Sequence, residues 1–69
     1  MDRAIIGRNI QRWRHFKGKK QEPFAKEIEV SRVMLSRYEN GRSEISLQQL
    51  EKIADALGVS ITDLLSDEN

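Results

Sequence analysis

The sequence contains no cysteine, a single histidine, a single proline and few aromatic residues among its 69 residues. Without cysteine, the chain can form neither a disulfide bond nor a thiolate metal site. His15 has no second histidine to complete a metal site and no partners for nucleophilic catalysis, so we predict no metal, no cofactor and no enzymatic activity. A chain this short buries little surface, so helix packing or oligomerisation must provide its stability.

Long apolar runs are also absent. No segment approaches the roughly 20 apolar residues that a membrane-spanning helix needs, and the first residues, Met1 to Arg8, lack the apolar centre of a secretory signal. The length suits one domain and not two. We therefore expect a cytoplasmic protein with a single domain over residues 1–69 and no membrane association.

The net charge of +1 conceals a gradient along the chain. Residues 1–20 carry seven Lys or Arg and one Asp, a net +6, whereas residues 43–69 carry one Lys and six acidic residues, a net −5. The residues between them balance. A basic first half is a hint of a surface that faces a polyanion, but charge alone favours the simpler interpretation of two solvated helix faces.

Apolar residues spaced three or four apart predict five helices, and no segment shows the alternation of a strand. Each helix has start or stop signals: serines at the N-caps (Ser31, Ser46 and Ser60) and glycines after the ends (Gly18, Gly41 and Gly58). Gln49 and Asp63 lie three residues after a capping serine and predict capping boxes. The helices are predicted at residues 3–17, 21–28, 31–40, 46–57 and 60–65.

The same spacing predicts which side chains are buried. In the first helix the apolar stripe contains Ile6, Ile10, Trp13 and the stem of Lys17, and it is widened by Ile5 and Phe16. In the second it contains Phe24, Ala25 and Ile28. In the fourth it contains Leu47, Leu50, Ile53, Ala54 and Leu57.

The second and third helices are short and are separated by a three-residue turn, which is the layout of a helix-turn-helix motif over residues 21–40. Ala25 is small enough for the third helix to cross the second closely. Apolar residues flank the turn and line the inner side of the third helix (Ile28, Val30, Leu35 and Tyr38). Its outward positions are left for DNA bases: Arg32, Val33, Ser36 and Arg37.

These residues identify a resemblance. From residue 6 to residue 65 the chain resembles the Cro/lambda-repressor-like helix-turn-helix family, also called the xenobiotic-response-element family. The matching motifs are Ile6-Gly7-x-x-Ile10-x-x-x-Arg14, Gln21-x-x-Phe24-Ala25, Val30-Ser31, Leu35-Ser36-x-Tyr38-Glu39-Asn40-Gly41 and Leu50-x-x-Ile53-Ala54-x-x-Leu57-Gly58-Val59. The resemblance implies an all-α, compact five-helix domain that binds double-stranded operator DNA as a homodimer.

The resemblance also implies roles for individual residues. Bases would be read by Arg32, Val33 and Arg37, with Ser36 beside them. Phosphates would be contacted by Asn40, Arg42 and Ser43, and Gln21 would contact a phosphate or an end base. A buried ion pair would join Arg14 to Glu39. Chemistry supports these roles, because an arginine fork matches guanine and a valine matches the thymine methyl group.

Two departures from the family pattern have physical consequences. Glu29 occupies the turn position where the family usually has glycine, and a left-handed backbone there would cost about 1 kcal/mol. Lys20 replaces the usual Ser or Thr before Gln21, so the second helix loses a side-chain cap and gains a cation that can reach phosphate. Ile45 stands where many relatives have proline.

The sequence thus predicts a sequence-specific transcriptional regulator, a repressor, that reads the major groove as a dimer. The expected dimer surface is the last helix and the loop before it (Val59, Ile61, Leu64 and Leu65), unless these residues only close the core. One alternative is an antitoxin or controller protein whose main partner is another protein and whose DNA binding is autoregulatory. Another is a helical interaction module that does not bind DNA.

Overall fold

The computed structural model describes residues 2–67; residues 1, 68 and 69, which the single-domain prediction includes, lie outside the described residues. The described chain forms five helices and no strand, as predicted. They are α1 (Arg3–Phe16), α2 (Gln21–Glu27), α3 (Arg32–Glu39), α4 (Leu47–Leu57) and α5 (Ile61–Leu65). Within residues 2–67 no helix is long and apolar enough to cross a membrane.

The helix ends follow the predicted local chemistry. Ser31, Ser46 and Ser60 each accept a hydrogen bond from the backbone N–H three residues later. The reciprocal bond of a capping box forms only at Ser60, where Asp63 accepts from the Ser60 N–H. The amide of Gln49 instead donates to the carbonyl of Ile28 at 3.3 Å, so it satisfies the end of α2. As predicted, α2 begins after Lys20 without a side-chain cap.

The core lies where α1, α3, α4 and α5 converge and where α2 packs on α3. Every helix contributes, as does the loop before α4: Ile6, Ile10, Phe24, Ala25, Ile28, Leu35, Ile45, Leu50, Ile53, Ala54, Leu57 and Leu64. Trp13 packs against this cluster from its edge. Two residues predicted inside are exposed: Phe16 at 77% and Leu47 at 59%. Both stand in a terminal turn of a helix, where the apolar stripe extends beyond the neighbouring helices.

The first helix, α1, crosses closely over the last turn of α3. A Cβ atom on Gly7 would lie 2.2 Å from the carbonyl oxygen of Tyr38 and 2.7 Å from that of Glu39. Both are backbone atoms, so only a residue without a side chain permits this approach. The crossing brings the polar side of α1 beside the end of α3.

Candidate nucleic-acid interface

The third helix has one buried side and one exposed side. Leu35 is fully buried, whereas Arg32, Val33 and Arg37 are exposed and Ser36 is half-buried. Val33 keeps 65% of its surface exposed and is thus free to contact a partner. The four residues predicted to contact bases therefore lie on the outward side of α3, as the helical spacing required.

The turn before α3 has a left-handed backbone at Glu29, with φ of 63°, as the family comparison of this position implied. The carboxylate of Glu29 accepts a hydrogen bond from Lys52 Nζ on α4 at 2.6 Å. This hydrogen bond, and then the positive charge of Lys52, lower the pKa of Glu29 below its ordinary value of 4.5. Lys52 thus holds the charge of Glu29 toward α4.

A pH-dependent contribution to stability follows from this ion pair. Because the pKa of Glu29 is lowered on folding, the contribution is present above pH 4.5 and is lost as the pH falls through the lowered value. We expect Lys52→Met to be less stable than the wild type at neutral pH and equal to it in acid, in urea unfolding over a pH series. The control is Lys26→Met, which removes one positive charge from an exposed position on α2. The same pH dependence of stability in both variants would contradict the assignment to the Glu29–Lys52 pair.

The loop after α3 is held to the helix by side chains predicted to contact DNA. Arg37 Nε donates to Ser43 Oγ at 2.8 Å, and Arg37 Nη2 donates to the Arg42 carbonyl at 3.0 Å. Asn40 Nδ2 donates to the Ser36 carbonyl at 2.8 Å. The structure therefore brings together the predicted base-reading and phosphate-binding residues, but it places the Arg37 guanidinium on the loop. A base contact by Arg37 would have to use the N–H groups that these two hydrogen bonds leave free, or break the bonds.

The predicted ion pair between α1 and α3 is present and buried. Arg14 Nε lies 2.6 Å from Glu39 Oε2, and Arg14 Nη2 lies 3.1 Å from Glu39 Oε1. Arg14 also donates to the Lys19 carbonyl at 2.8 Å, which ties down the loop before α2. No buried nitrogen or oxygen atom of the pair lacks a hydrogen-bond partner, which is the condition under which a buried ion pair is tolerated.

Gln21 links this ion pair to the exposed side of α3. This link was not predicted from the sequence. Gln21 Nε2 donates to Glu39 Oε1 at 3.0 Å, and Gln21 Oε1 accepts from Arg32 Nη1 at 3.3 Å. The link joins α2 to α3, so spacing along one helix could not reveal it.

Beside this link runs an open groove of about 560 Å³ between the end of α1 and the start of α2. Its lining is mostly basic or amide-bearing: Gln11, Arg14, His15, Gly18, Lys19, Lys20 and Gln21. Gln11 was not among the predicted site residues. It lies four residues before His15, so both side chains share one side of α1, and this spacing could have indicated its place in the groove. Lys20 is exposed at the rim, whereas Lys19 Nζ forms an ion pair with Glu27 at 3.2 Å.

The structure corrects one residue of the expected dimer surface. Leu64 has no exposed surface and belongs to the core, because Asn9 on α1 donates to the carbonyls of Leu64 and Ser66 at 2.9 and 2.7 Å and pins α5 down. Val59 and Ile61 are half-buried against the core, and Leu65 is 39% exposed. Only these three remain available to a second copy.

Comparison with known proteins finds a match to the Helix-turn-helix family over residues 10–64. The control protein C.MunI of Mycoplasma sp is 45% identical over 47 residues, which are 68% of this chain and 64% of that protein. The antitoxin PezA of Streptococcus pneumoniae is 36% identical over 64 residues, 93% of this chain and 40% of that protein. The crystal structure of the clp gene regulator ClgR from C. glutamicum superposes with a TM-score of 0.89 at 34% identity, covering 94% of this chain and 84% of that one. The chain thus spans less than two thirds of the length of C.MunI and PezA.

Proposed function

Since the chain belongs to the Helix-turn-helix family, we propose that it is a sequence-specific regulator of transcription that binds double-stranded DNA and inserts α3 into the major groove. One observation carries the proposal: α3 leaves Arg32 and Val33 exposed while Leu35 on the same helix is fully buried. An arginine and an apolar side chain on one exposed helix face suit guanine and the thymine methyl group. DNA binding would therefore account for the exposure of both side chains on α3.

Phosphate contacts would come from both ends of this face. Lys20 lies before α2, and Asn40, Arg42 and Ser43 lie in and beside the loop that Arg37 holds to α3. Such contacts position a protein on DNA without reading sequence. Residues 1–20 carry a net charge of +6, which would also attract the phosphates. The acidic α4 and α5 would face away from them.

We propose that the protein acts as a homodimer and a repressor in the cytoplasm, where it reaches operator DNA. One domain of this size offers few base contacts, so tight binding calls for two half-sites about 34 Å apart. The half-buried Val59 and Ile61 and the exposed Leu65 support a contact between copies along α5. A dimer through this surface would also add the burial that a 69-residue chain needs.

A second function is favoured by the names of two relatives. C.MunI is a control protein and PezA is an antitoxin, so this chain can be proposed as a controller whose main partner is another protein and whose DNA binding is autoregulatory. Co-purification of a stoichiometric small protein from the native host would favour this alternative. Purification without such a partner, together with strong operator preference, would favour the first.

Selection of duplexes from a random library at two salt concentrations tests the proposal. We expect enriched duplexes to contain an inverted repeat with half-sites one helical turn apart, and we expect affinity but not base preference to fall with salt. Uniform enrichment at both salt concentrations would overturn the sequence-reading role. Enrichment of a single half-site without its repeat would overturn the dimer.

The variant Arg37→Ala, tested in the same duplex selection, distinguishes a role of Arg37 in holding the loop from direct base reading by Arg37. Because the Arg37 guanidinium is bonded to the loop at Ser43 and Arg42, we expect binding to weaken on all sequences by a similar factor. Loss of preference at one base pair in each half-site would instead support the direct base reading implied by the family resemblance. Lys26→Met, on the exposed side of α2, is the control for a simple loss of positive charge.

A further inference from the structure

We propose that His15 is a proton-linked phosphate ligand. Its imidazole takes up a proton when the protein binds operator DNA, and the resulting cation contacts a phosphate in the basic groove between α1 and α2. This inference rests on the proposed DNA-binding function and deepens it, because it makes operator affinity depend on pH near neutrality. Histidine is the side chain whose charge ordinarily changes between about pH 5 and 8, and His15 is the only histidine of the chain.

The groove adjoins the exposed side of α3. Gln21 lines the groove, and its amide oxygen accepts a hydrogen bond from Arg32 Nη1, at the start of α3, at 3.3 Å. The major groove of DNA is about 12 Å wide, so phosphates flank an inserted helix on both sides. One of these two rows of phosphates would therefore pass beside the groove that His15 lines.

Most charges around the groove are already balanced. The charged or titratable groups come from α1, the loop after it, α2 and α3: Arg14, His15, Lys19, Lys20, Glu27 and Glu39. The Arg14 guanidinium is neutralised by Glu39 at 2.6 Å, and the Lys19 ammonium is neutralised by Glu27 at 3.2 Å. Lys20 forms no ion pair within residues 2–67. Among these groups, a phosphate would meet one unpaired cation until the imidazole becomes charged.

In the free protein the imidazole faces a donor. Arg14 Nη2 lies 3.3 Å from His15 Nε2. A guanidinium offers donors only, so Nε2 must accept the hydrogen bond and the ring proton must lie on Nδ1. This contact therefore favours the neutral ring, because protonation at Nε2 would set two donors against each other. His15 is exposed, so a phosphate can reach the ring and compete with Arg14.

A phosphate reverses this preference. It is negatively charged and offers only acceptors, so it favours the protonated imidazole, in which both ring nitrogens donate. Arg14 can release the ring, because its guanidinium keeps two hydrogen bonds to Glu39 and one to the Lys19 carbonyl. If binding takes up a proton, linkage requires the affinity for DNA to rise as the pH falls through the range in which an imidazole titrates.

A purely structural role for His15 predicts the opposite sign. If the imidazole served only to hold Arg14, protonation at low pH would break that hydrogen bond and loosen the ion pair with Glu39. DNA binding would then weaken as the pH falls. The direction in which affinity changes with pH therefore separates the two roles.

The test measures the affinity of the full chain for an enriched duplex from the selection, at about pH 6 and about pH 8. We expect the wild type to bind about three- to tenfold more tightly per protomer at the lower pH. We also expect the slope of log K against log salt to be steeper there by about one unit per protomer. His15→Gln, which stays neutral, should show neither change. His15→Lys, which is charged at both pH values, should bind tightly at both.

Lys20→Met is the matched control, because it removes a permanent positive charge from an exposed position at the rim of the same groove. It should weaken binding by a similar factor at both pH values. The α-amino group of the chain also titrates near neutrality, but it is present in every variant, so the difference between the wild type and His15→Gln removes its contribution. Circular dichroism at both pH values should show that each variant is folded.

The outcomes distinguish the inference from the function on which it rests. If the selection enriches no duplex, the proposed function is overturned and the inference with it. If an enriched duplex is bound with the same pH dependence by the wild type and by His15→Gln, the inference alone is overturned. Weaker binding by the wild type at the lower pH would also overturn it, in favour of the structural role.

Calorimetry of the same binding reaction provides the second test. Titrations at neutral pH in buffers that differ in ionisation enthalpy count the protons exchanged on binding. We expect the wild type to take up a fraction of a proton per protomer, up to about one, and we expect this uptake to be absent in His15→Gln. Equal proton uptake by the two proteins would show that His15 is not the group that becomes protonated.

Discussion

Replacement of Glu39 by glutamine is expected to lower the free energy of unfolding by about 3–5 kcal/mol, because it leaves the Arg14 guanidinium buried without a counter-charge. The Arg14 side chain is 5% exposed and that of Glu39 is 1% exposed, so water cannot replace the lost carboxylate. A domain of this size has about 3–10 kcal/mol of total stability. Urea unfolding followed by circular dichroism should therefore show a midpoint shifted strongly to lower urea concentration.

The reverse half of this experiment removes both charges. Arg14→Met with Glu39→Leu replaces the ion pair by apolar groups of similar volume, and such replacements are often neutral or stabilising. We expect this double variant to recover most of the stability lost in Glu39→Gln. Equal instability of the single and double variants would show that packing, and not an unpaired charge, accounts for the loss.

Gly7→Ala is expected to destabilise the protein by about 3 kcal/mol, through a clash that separates α1 from α3. Its Cβ would meet the Tyr38 carbonyl oxygen at 2.2 Å, and backbone atoms cannot turn aside as a flexible side chain can. Helix propensity alone predicts the opposite sign, since alanine is favoured over glycine inside a helix by about 1 kcal/mol. The melting temperature should fall by roughly 10–20 °C.

Gly18→Ala is the matched control for this substitution. A Cβ at Gly18 would meet no atom within 4 Å, so only its positive φ of 71° opposes alanine, at a cost of about 1 kcal/mol. The thermal unfolding of the two variants should therefore rank Gly7→Ala well below Gly18→Ala. A stabilised Gly7→Ala would show that the two helices can separate without loss and that the crossing does not depend on glycine.

The helices were predictable because their limits depend on neighbouring residues. A serine three residues before a free N–H, or a glycine just past the last turn, acts within one turn of backbone. The left-handed turn at Glu29 was implied instead by the family resemblance, because the family usually has glycine at this position. Local logic was not sufficient everywhere. It failed for the capping box at Gln49, whose side chain found a better acceptor on Ile28 at the end of another helix.

Burial was less predictable than helix limits. Helical spacing shows which side chains share a face, but it does not show how far the neighbouring helices extend along that face. Phe16 and Leu47 each lie on the apolar face of their own helix, but at its end, where they are exposed. Leu64 was expected at an interface and is fully buried. The difference arises from the length and angle of the packed helices, which are properties of the whole domain.

The candidate DNA interface divides along the same physical line. Helical periodicity sufficed to place Arg32 beside Ser36 and Val33 beside Arg37 on the outward side of α3, because residues three to four positions apart share a side of any α-helix. The contacts made by their functional groups were decided by packing: Arg37 reaches the loop at Ser43, and Gln21 joins Arg32 to Glu39. The first link forms only when the loop has folded back on α3, and the second only when α2 has packed on α3. Local chemistry thus specified the helices and their exposed faces, and the helix crossing permitted by Gly7 decided which polar groups meet.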